Sequence, residues 1–256
     1  MNKIIFSGSY YFTSAVRFLF SVINGGEHCV VCGRTTFGIP VCKICNSTYF
    51  SVQGNLEIKR CKCCGKELIS EDEFCMECRE NPVIHHSDFT FSLFSYRLWN
   101  KELLFLWKIQ NQRSLSVFFA KKMNEVLTWR KIEFIVPVPP RKGKIKKNGW
   151  DQIDELCQFL QFFYGFKILK ILQRKSSTQQ KTLDRSARLA TVENAYGQED
   201  SEKIKKLLKP FHGIFPEKVA LIDDVSTTGA TIECCSKILK EMGVRQVEVF
   251  TLFGVD

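Results

Sequence analysis

Nine of the twelve cysteines in this chain fall between Cys29 and Cys78, and their spacing repeats. Cys29-Val-Val-Cys32-Gly33 is followed by Cys42-Lys-Ile-Cys45, and Cys61-Lys-Cys63-Cys64-Gly65 by Cys75-Met-Glu-Cys78. Matching cysteines lie 32 residues apart in the first pair and 33 in the second, so the pattern reads as a duplicated unit of CxxCG, short loop, CxxC. Each CxxC can hook two thiolates onto one ion, and the glycine permits the tight turn that aims amides at the sulfurs. Four sulfurs complete a closed, tetrahedral, structural site. Zinc is therefore expected twice, on Cys29, Cys32, Cys42 and Cys45 and on Cys61, Cys64, Cys75 and Cys78. Disulfides and reduced structural thiols are the alternatives. Pairing across the units, with one ion taking a CxxC from each, also satisfies the spacing. Cys63 competes with Cys64, and alignment with the first unit favours Cys64.

The metal reading assumes a reducing compartment, so the amino terminus matters. In MNKIIFSGSYYFTSAVRFLFSVINGG the apolar stretches are broken at Ser7–Ser9 and Arg17, and no small-residue cleavage site follows. No run approaches the roughly 20 apolar residues of a membrane span. The expectation is an amphipathic docking helix from about Tyr10 to Ile23 within a segment 1–26, in a cytoplasmic protein. Cys157, Cys234 and Cys235 lie in helical patterns, and Cys157 and Cys235 are expected in the core. His28, His85 and His86 are read as solvated or structural.

The cysteine module spans 27–82, and the composition changes near Pro82. Phe89 to Tyr96 alternates like a strand, Asn100 and Ser114 are candidate helix caps, and Phe134 to Val138 reads as a short buried strand. That strand runs into Pro137-Val138-Pro139-Pro140, which suits neither a helix nor a central strand. A basic segment follows with Arg141, Lys142, Lys144, Lys146 and Lys147, then an amphipathic helix from Trp150 closed by Gly165. A second cationic stretch, with Arg174, Lys175, Lys181, Arg185 and Arg188, reads as a mobile flap. Each charge run alone could be a solvated face. Together, the alternation of strands, basic loops and helices predicts a parallel α/β sheet over 83–256, whose ligands sit beyond the carboxyl ends of the strands. The balance of 37 Lys+Arg against 27 Asp+Glu favours an anionic partner.

Near the carboxyl end, Val219 to Ile222 is an uninterrupted apolar run, followed by Asp223 and Asp224 and then Val225-Ser226-Thr227-Thr228-Gly229-Ala230-Thr231. Helical spacing resumes at Ile232. Free amides at that helix start favour a phosphate, the threonines add hydroxyl donors, and Gly229 allows close approach. A phosphate alone would not want two carboxylates beside it. A phosphorylated ribose would, because acids accept hydrogen bonds from sugar hydroxyls.

VALIDDVSTTGAT resembles the phosphoribosyl pyrophosphate (PRPP) motif of type I phosphoribosyltransferases. From Cys29 onward the chain resembles the ComF family, competence-associated proteins that join a cysteine zinc module to a phosphoribosyltransferase fold. Val136-Pro137-Val138-Pro139 is similar to the family's VPVP pyrophosphate segment, and Gln180, Arg188 and Asn194 to its flap positions. Asn148-Gly149-Trp150-Asp151-Gln152 stands where the family has RGFNQ, so Asn148 replaces an arginine and Asp151 an asparagine. The resemblance implies a type I phosphoribosyltransferase-like sheet flanked by helices, behind a small duplicated zinc-ribbon-like module. It implies ribose hydroxyls on Asp223 and Asp224, sugar phosphate on Ser226 to Thr231, and pyrophosphate with magnesium near Val136 to Pro139. Three functions follow from it: a PRPP-type pocket in a protein handling incoming single-stranded DNA, an active transferase acting on a nitrogen nucleophile, or a zinc module docking a DNA-uptake helicase.

Overall fold

The computed structural model describes residues 19, 22–23, 26–52, 56–141, 143–145, 149–175 and 195–255. The helix expected over 10–23 lies outside the described residues apart from Leu19, Val22 and Ile23, which are exposed. Among the described residues, no helix is long and apolar enough to cross a membrane.

In chain order the elements are β1 Glu27–His28, β2 Thr35–Thr36, α1 Lys43–Tyr49, α2 Met76–Glu80, β3 Phe89–Ser95, α3 Leu98–Lys108, α4 Ser114–Trp129 and β4 Phe134–Pro137. There follow α5 Gln152–Tyr164, β5 Lys167–Ile168, β6 Leu172–Arg174, β7 Tyr196–Gln198, α6 Ser201–Leu208, β8 Lys218–Ser226, α7 Ala230–Glu241 and β9 Gln246–Gly254. Five strands form one parallel sheet in the order β3-β9-β8-β4-β5, and β6 and β7 make a separate antiparallel pair. This is the expected α/β architecture, a parallel sheet flanked by helices with two cysteine units ahead of it.

The burial of β8 and β9 explains their sequences. A parallel sheet covered on both faces needs near-continuous apolar strands. Val219 to Ile222 and Val247, Val249, Phe250, Leu252 and Phe253 are fully buried. Ala220 and Ile222 pack with α3, α4 and α5 on one face, whereas Val219 and Leu221 pack with α6 and α7 on the other. The two cysteine units divide in the same way. Cys29, Cys42 and Cys45 join the first cluster, and Cys61, Cys63 and Cys75 the second.

Local chemistry moved several boundaries. α3 opens two residues before Asn100, whose side-chain amide instead donates to Ser95 O at 2.9 Å. α5 begins at Gln152, not Trp150, because the Asp151 carboxylate accepts from Ile153 N and Asp154 N, both at 3.0 Å. Pro137 does enter an internal strand, against the expectation. It is the last residue of β4, and Val138 N resumes the ladder by donating to Ile222 O at 2.9 Å. A polar chain, buried up to the exposed Arg113, then ties three helices together: Trp107 Nε1 donates to Ser116 Oγ at 2.8 Å, Ser116 Oγ to Glu155 Oε2 at 2.5 Å, and Arg113 Nε to Glu155 Oε1 at 2.8 Å.

Candidate functional site

The paired acids do not terminate their strand. β8 continues through them to Ser226, with Asp223 in register with Thr251 and Ser226 with Gly254. Side chains alternate along a strand, so the acids face opposite ways. Asp223 shares the face of Val219 and Leu221 and lines a hollow of about 30 Å³ formed with Val225 to Ile232. Asp224, 9% exposed, shares the face of Ala220 and Ile222. Its Oδ2 accepts from Lys108 Nζ at 2.5 Å and from Gln152 Nε2 at 3.0 Å. Burial, and then the negative charge of Asp224, push the Asp223 carboxyl up to about 8, against the Asp224 amide that donates to its Oδ1 at 2.8 Å and the more distant Lys108.

The loop after the acids is shaped for an anion. Gly229 caps α7 with φ +78° and offers no side-chain oxygen, while Thr228 Oγ1 reaches Ala230 N only at 3.4 Å. The first amides of α7 therefore have no strong side-chain partner, and the helix dipole adds partial positive charge where they point. Thr227 and Thr228 are exposed, Ala230 and Thr231 half-buried. The segment after the cysteines braces the loop. Glu233 Oε2 accepts from His85 N at 2.7 Å and His86 N at 3.1 Å, and a Cβ on Gly229 would come within 2.9 Å of Ile84.

Other expected residues lie deeper. Val136, Pro137 and Val138 are buried and Pro139 is half-buried, so their side chains do not line an open cleft. Lys142, Lys146, Lys147, Asn148, Gln180, Lys181, Arg185, Arg188 and Asn194 fall outside the described residues. Lys108 and Tyr196 were not anticipated. Lys108 follows buried Leu104 by four positions, and that spacing placed its ammonium on the inward face of α3. Tyr196 OH accepts from Arg174 Nη1 at 3.0 Å across the β6–β7 pair.

The two cysteine units repeat one geometry. The sulfurs of Cys29, Cys32, Cys42 and Cys45 all lie within 4.8 Å of one another, as do those of Cys61, Cys64, Cys75 and Cys78. Each foursome comes from one unit, and all of these thiols are free. Gly33 N donates to Cys29 O at 2.8 Å and Gly65 N to Cys61 O at 2.9 Å, with φ of +72° and +73°. Cys42 and Cys75 share φ −67° and ψ 160° at the start of α1 and α2. The strand pairing His28↔Thr35 recurs as Arg60↔Glu67, at the 32-residue offset that separates Cys29 from Cys61. Burial raises the Cys29 and Cys61 thiols, but backbone amides aimed at the sulfurs outweigh it and bring them down to about 6 and about 7. Cys63 stands apart, its Sγ donating to Ile84 O at 3.0 Å. These are two preformed tetrathiol groups, each able to hold a metal ion.

No family model matches the chain. Competence protein ComFC of Streptococcus pneumoniae is 27% identical over 241 residues, covering 88% of this chain and 98% of that protein. Competence protein F of Haemophilus influenzae is 28% identical over 208 residues, covering 75% and 83%. The chain is a homologue of these ComF-type competence proteins. A solved purine phosphoribosyltransferase from Pyrococcus horikoshii aligns at 14% identity and TM-score 0.31, over 59% of this chain and 84% of that one.

Against the ComF pattern, the departure at Asn148-Gly149-Trp150-Asp151-Gln152 has a structural consequence. Asp151 caps α5 and accepts from Lys144 Nζ at 2.6 Å, while Gln152, the position that agrees with the ComF segment, accepts from Lys144 Nζ at 2.5 Å and donates to Asp224. Lys144 therefore brings a cation to this segment from the basic loop. Trp150 is buried, with Nε1 donating to Asn111 Oδ1 at 2.8 Å, so it is a core residue.

Proposed function

We propose that this chain is a competence-associated protein of phosphoribosyltransferase type that binds PRPP or a related ribose phosphate. The observation that carries the reading is the hollow in which Asp223 meets the uncapped start of α7 across Ser226 to Thr231. Anionic phosphate suits the amides and hydroxyls, and sugar hydroxyls suit the carboxylate. Asp223 would accept from the ribose, whereas Asp224, held by Lys108 and Gln152, would act as the fixed inner charge of the site. Magnesium, carried with the pyrophosphate, would neutralise part of its charge. The tetrathiol groups would each hold a structural zinc. Zn–S bonds of about 2.3 Å put tetrahedral sulfurs about 3.8 Å apart, and Cys32–Cys42 and Cys64–Cys75 both stand at 3.7 Å.

In this reading the protein works in the cytoplasm on incoming single-stranded DNA. The net charge of +10 and the competence roles named for its homologues support it. A DNA-uptake helicase is the partner that the cysteine module would dock. The second reading is an active transferase, favoured by a large cavity that shares the phosphate loop. There an acceptor nitrogen would form a bond to the anomeric carbon as the bond to pyrophosphate breaks. Pyrophosphate would leave with the electron pair, and the nitrogen's proton would pass to solvent.

Calorimetry with PRPP and magnesium, repeated on Asp223→Ala with Asp224→Ala, tests the pocket. Saturable binding by the wild type and its loss in the double variant, with DNA binding retained, is the expected result. Absence of PRPP binding by the wild type would refute the proposal, and pyrophosphate release with a panel of bases would select the transferase.

A further inference from the structure

Arg174 and Tyr196 are cross-strand partners in the β6–β7 pair, so their side chains lie on one face of it. The Arg174 guanidinium stands 5.0 Å from the centre of the Tyr196 ring, and its Nη1 donates to the phenol oxygen at 3.0 Å. Tyr196 is buried, at 5% exposure, and its hydroxyl is also within hydrogen-bonding reach of the Thr231 side chain in the first turn of α7. Thr231 in turn lines the hollow of about 30 Å³ beside Asp223. Three side chains from two separate elements therefore form a path into the hollow.

The charge at the start of this path is not consumed on the way. Arg113 and Arg130 each hold a buried glutamate, Glu155 and Glu248. Arg174, by contrast, has no carboxylate partner among the described residues, and its buried Nε has no hydrogen-bond partner. The hollow itself is lined by Asp223 and uncharged residues of the loop and first turn, with no cation among the described residues.

The donors and acceptors give the path a direction. A guanidinium carries N–H donors and no acceptor, whereas a hydroxyl carries one hydrogen and can also accept. Arg174 can only donate, so the Tyr196 oxygen accepts from it and the phenol hydrogen is sent onward. Burial above all holds that hydrogen in place by pushing the phenol up, against Arg174 and Thr231, which draw it down. Thr231 then accepts from Tyr196, which leaves its own hydrogen for the hollow. Each link polarises the next, and the chain ends in a hydroxyl set to donate. A phosphate oxygen can only accept, so it is the partner that such an end selects.

We propose that Arg174 and Tyr196 are positioning residues of the ribose-phosphate hollow, which commit the Thr231 hydroxyl through a one-way hydrogen-bond chain to donate to the ligand's sugar phosphate. This deepens the ribose-phosphate reading and rests on it. It also gives the β6–β7 pair a part in the site, although neither strand supplies a lining residue of the hollow.

The test titrates the full, metal-loaded chain with PRPP and magnesium by calorimetry and follows the bound ligand by phosphorus NMR, where the sugar phosphate and the pyrophosphate resonate separately. Tyr196→Phe keeps the ring and removes the hydroxyl. It is expected to weaken PRPP about tenfold, as for one hydrogen bond to an anion, and to move the sugar-phosphate resonance while leaving the pyrophosphate resonances in place. A merely structural loss would not single out one end of the ligand. Thr231→Val removes the end of the chain, so adding Tyr196→Phe to it should cost no further affinity. Arg174→Gln, which can accept as well as donate, should weaken PRPP, whereas the donor-only Arg174→Lys should keep most of the affinity. Tyr196→Phe alone decides the matter should the Arg174 variants fold poorly. Wild-type affinity in Tyr196→Phe, additive losses in the double variant, or equal effects of Gln and Lys in place of Arg174 overturn the chain and leave the ribose-phosphate reading standing. A wild type that does not bind PRPP removes both.

Discussion

Gln152 Nε2 donates to Asp224 Oδ2 at 3.0 Å, joining the first turn of α5 to the second acid of β8. Asp224 also takes Lys108 Nζ, so one buried carboxylate fixes two helices against the carboxyl end of β8, the middle strand of the sheet. Gln152→Glu sets a like charge against Asp224 and should weaken PRPP more than Gln152→Ala, which removes the donor to Asp224 together with one acceptor of Lys144. Truncation should cost about 1–2 kcal/mol in unfolding free energy, as expected when a buried acceptor loses one partner but keeps another. Urea denaturation and PRPP titration of both variants check the order.

Asp223 predicts a pH dependence of opposite sense to that of a salt-bridged acid. Its carboxyl is pushed from 3.8 up to about 8 by burial and then by Asp224. Between those values the unfolded chain releases a proton that the ligand-free native state retains, so stability falls as pH rises and levels off above the folded value. Asp223→Asn should flatten this part of the profile, becoming more stable than wild type at pH 8 relative to pH 5. Unfolding curves at the two pH values suffice, and parallel profiles for the two proteins would contradict the assignment.

Much of this site was legible in residue order, and what escaped depended on facing and distance. The apolar run Val219 to Ile222 revealed a buried strand because a parallel sheet needs one. It could not reveal that the strand continues through Asp223 and Asp224, since two polar residues in succession ordinarily signal a strand's end. Continuation separates the acids onto two faces. Cys63 and Cys64 were distinguishable by alignment of the units, whereas the bond from Cys63 to Ile84 O depends on contact across 21 residues. Lys108 and Asp224 are 116 residues apart, beyond any local pattern.

The cysteine geometry separates two neighbouring thiols. Cys64→Ser should remove one of two bound metal ions per chain, whereas Cys63→Ser should retain both, because serine can donate to Ile84 O in its place. Elemental analysis of the purified proteins reads this directly. Chelation should also unfold more than the module, because cysteines of each unit pack into the clusters on the two faces of the sheet. Equal metal loss in both variants would refute the assignment of Cys64.

Gly229 is a constrained position of the loop proposed to hold phosphate. Its φ of +78° is unfavourable for any residue with a Cβ, and that Cβ would meet Ile84 Cγ1 and Cδ1 at 2.9 Å. Gly229→Ala should therefore cost about 1–3 kcal/mol and abolish PRPP binding, since the strain falls where the first amides of α7 converge. Adding Ile84→Ala relieves the contact but not the dihedral strain, so it should recover part of the stability and little of the affinity. Full recovery of binding in the double variant would mean that crowding by Ile84, and not the backbone of the loop, limits the site.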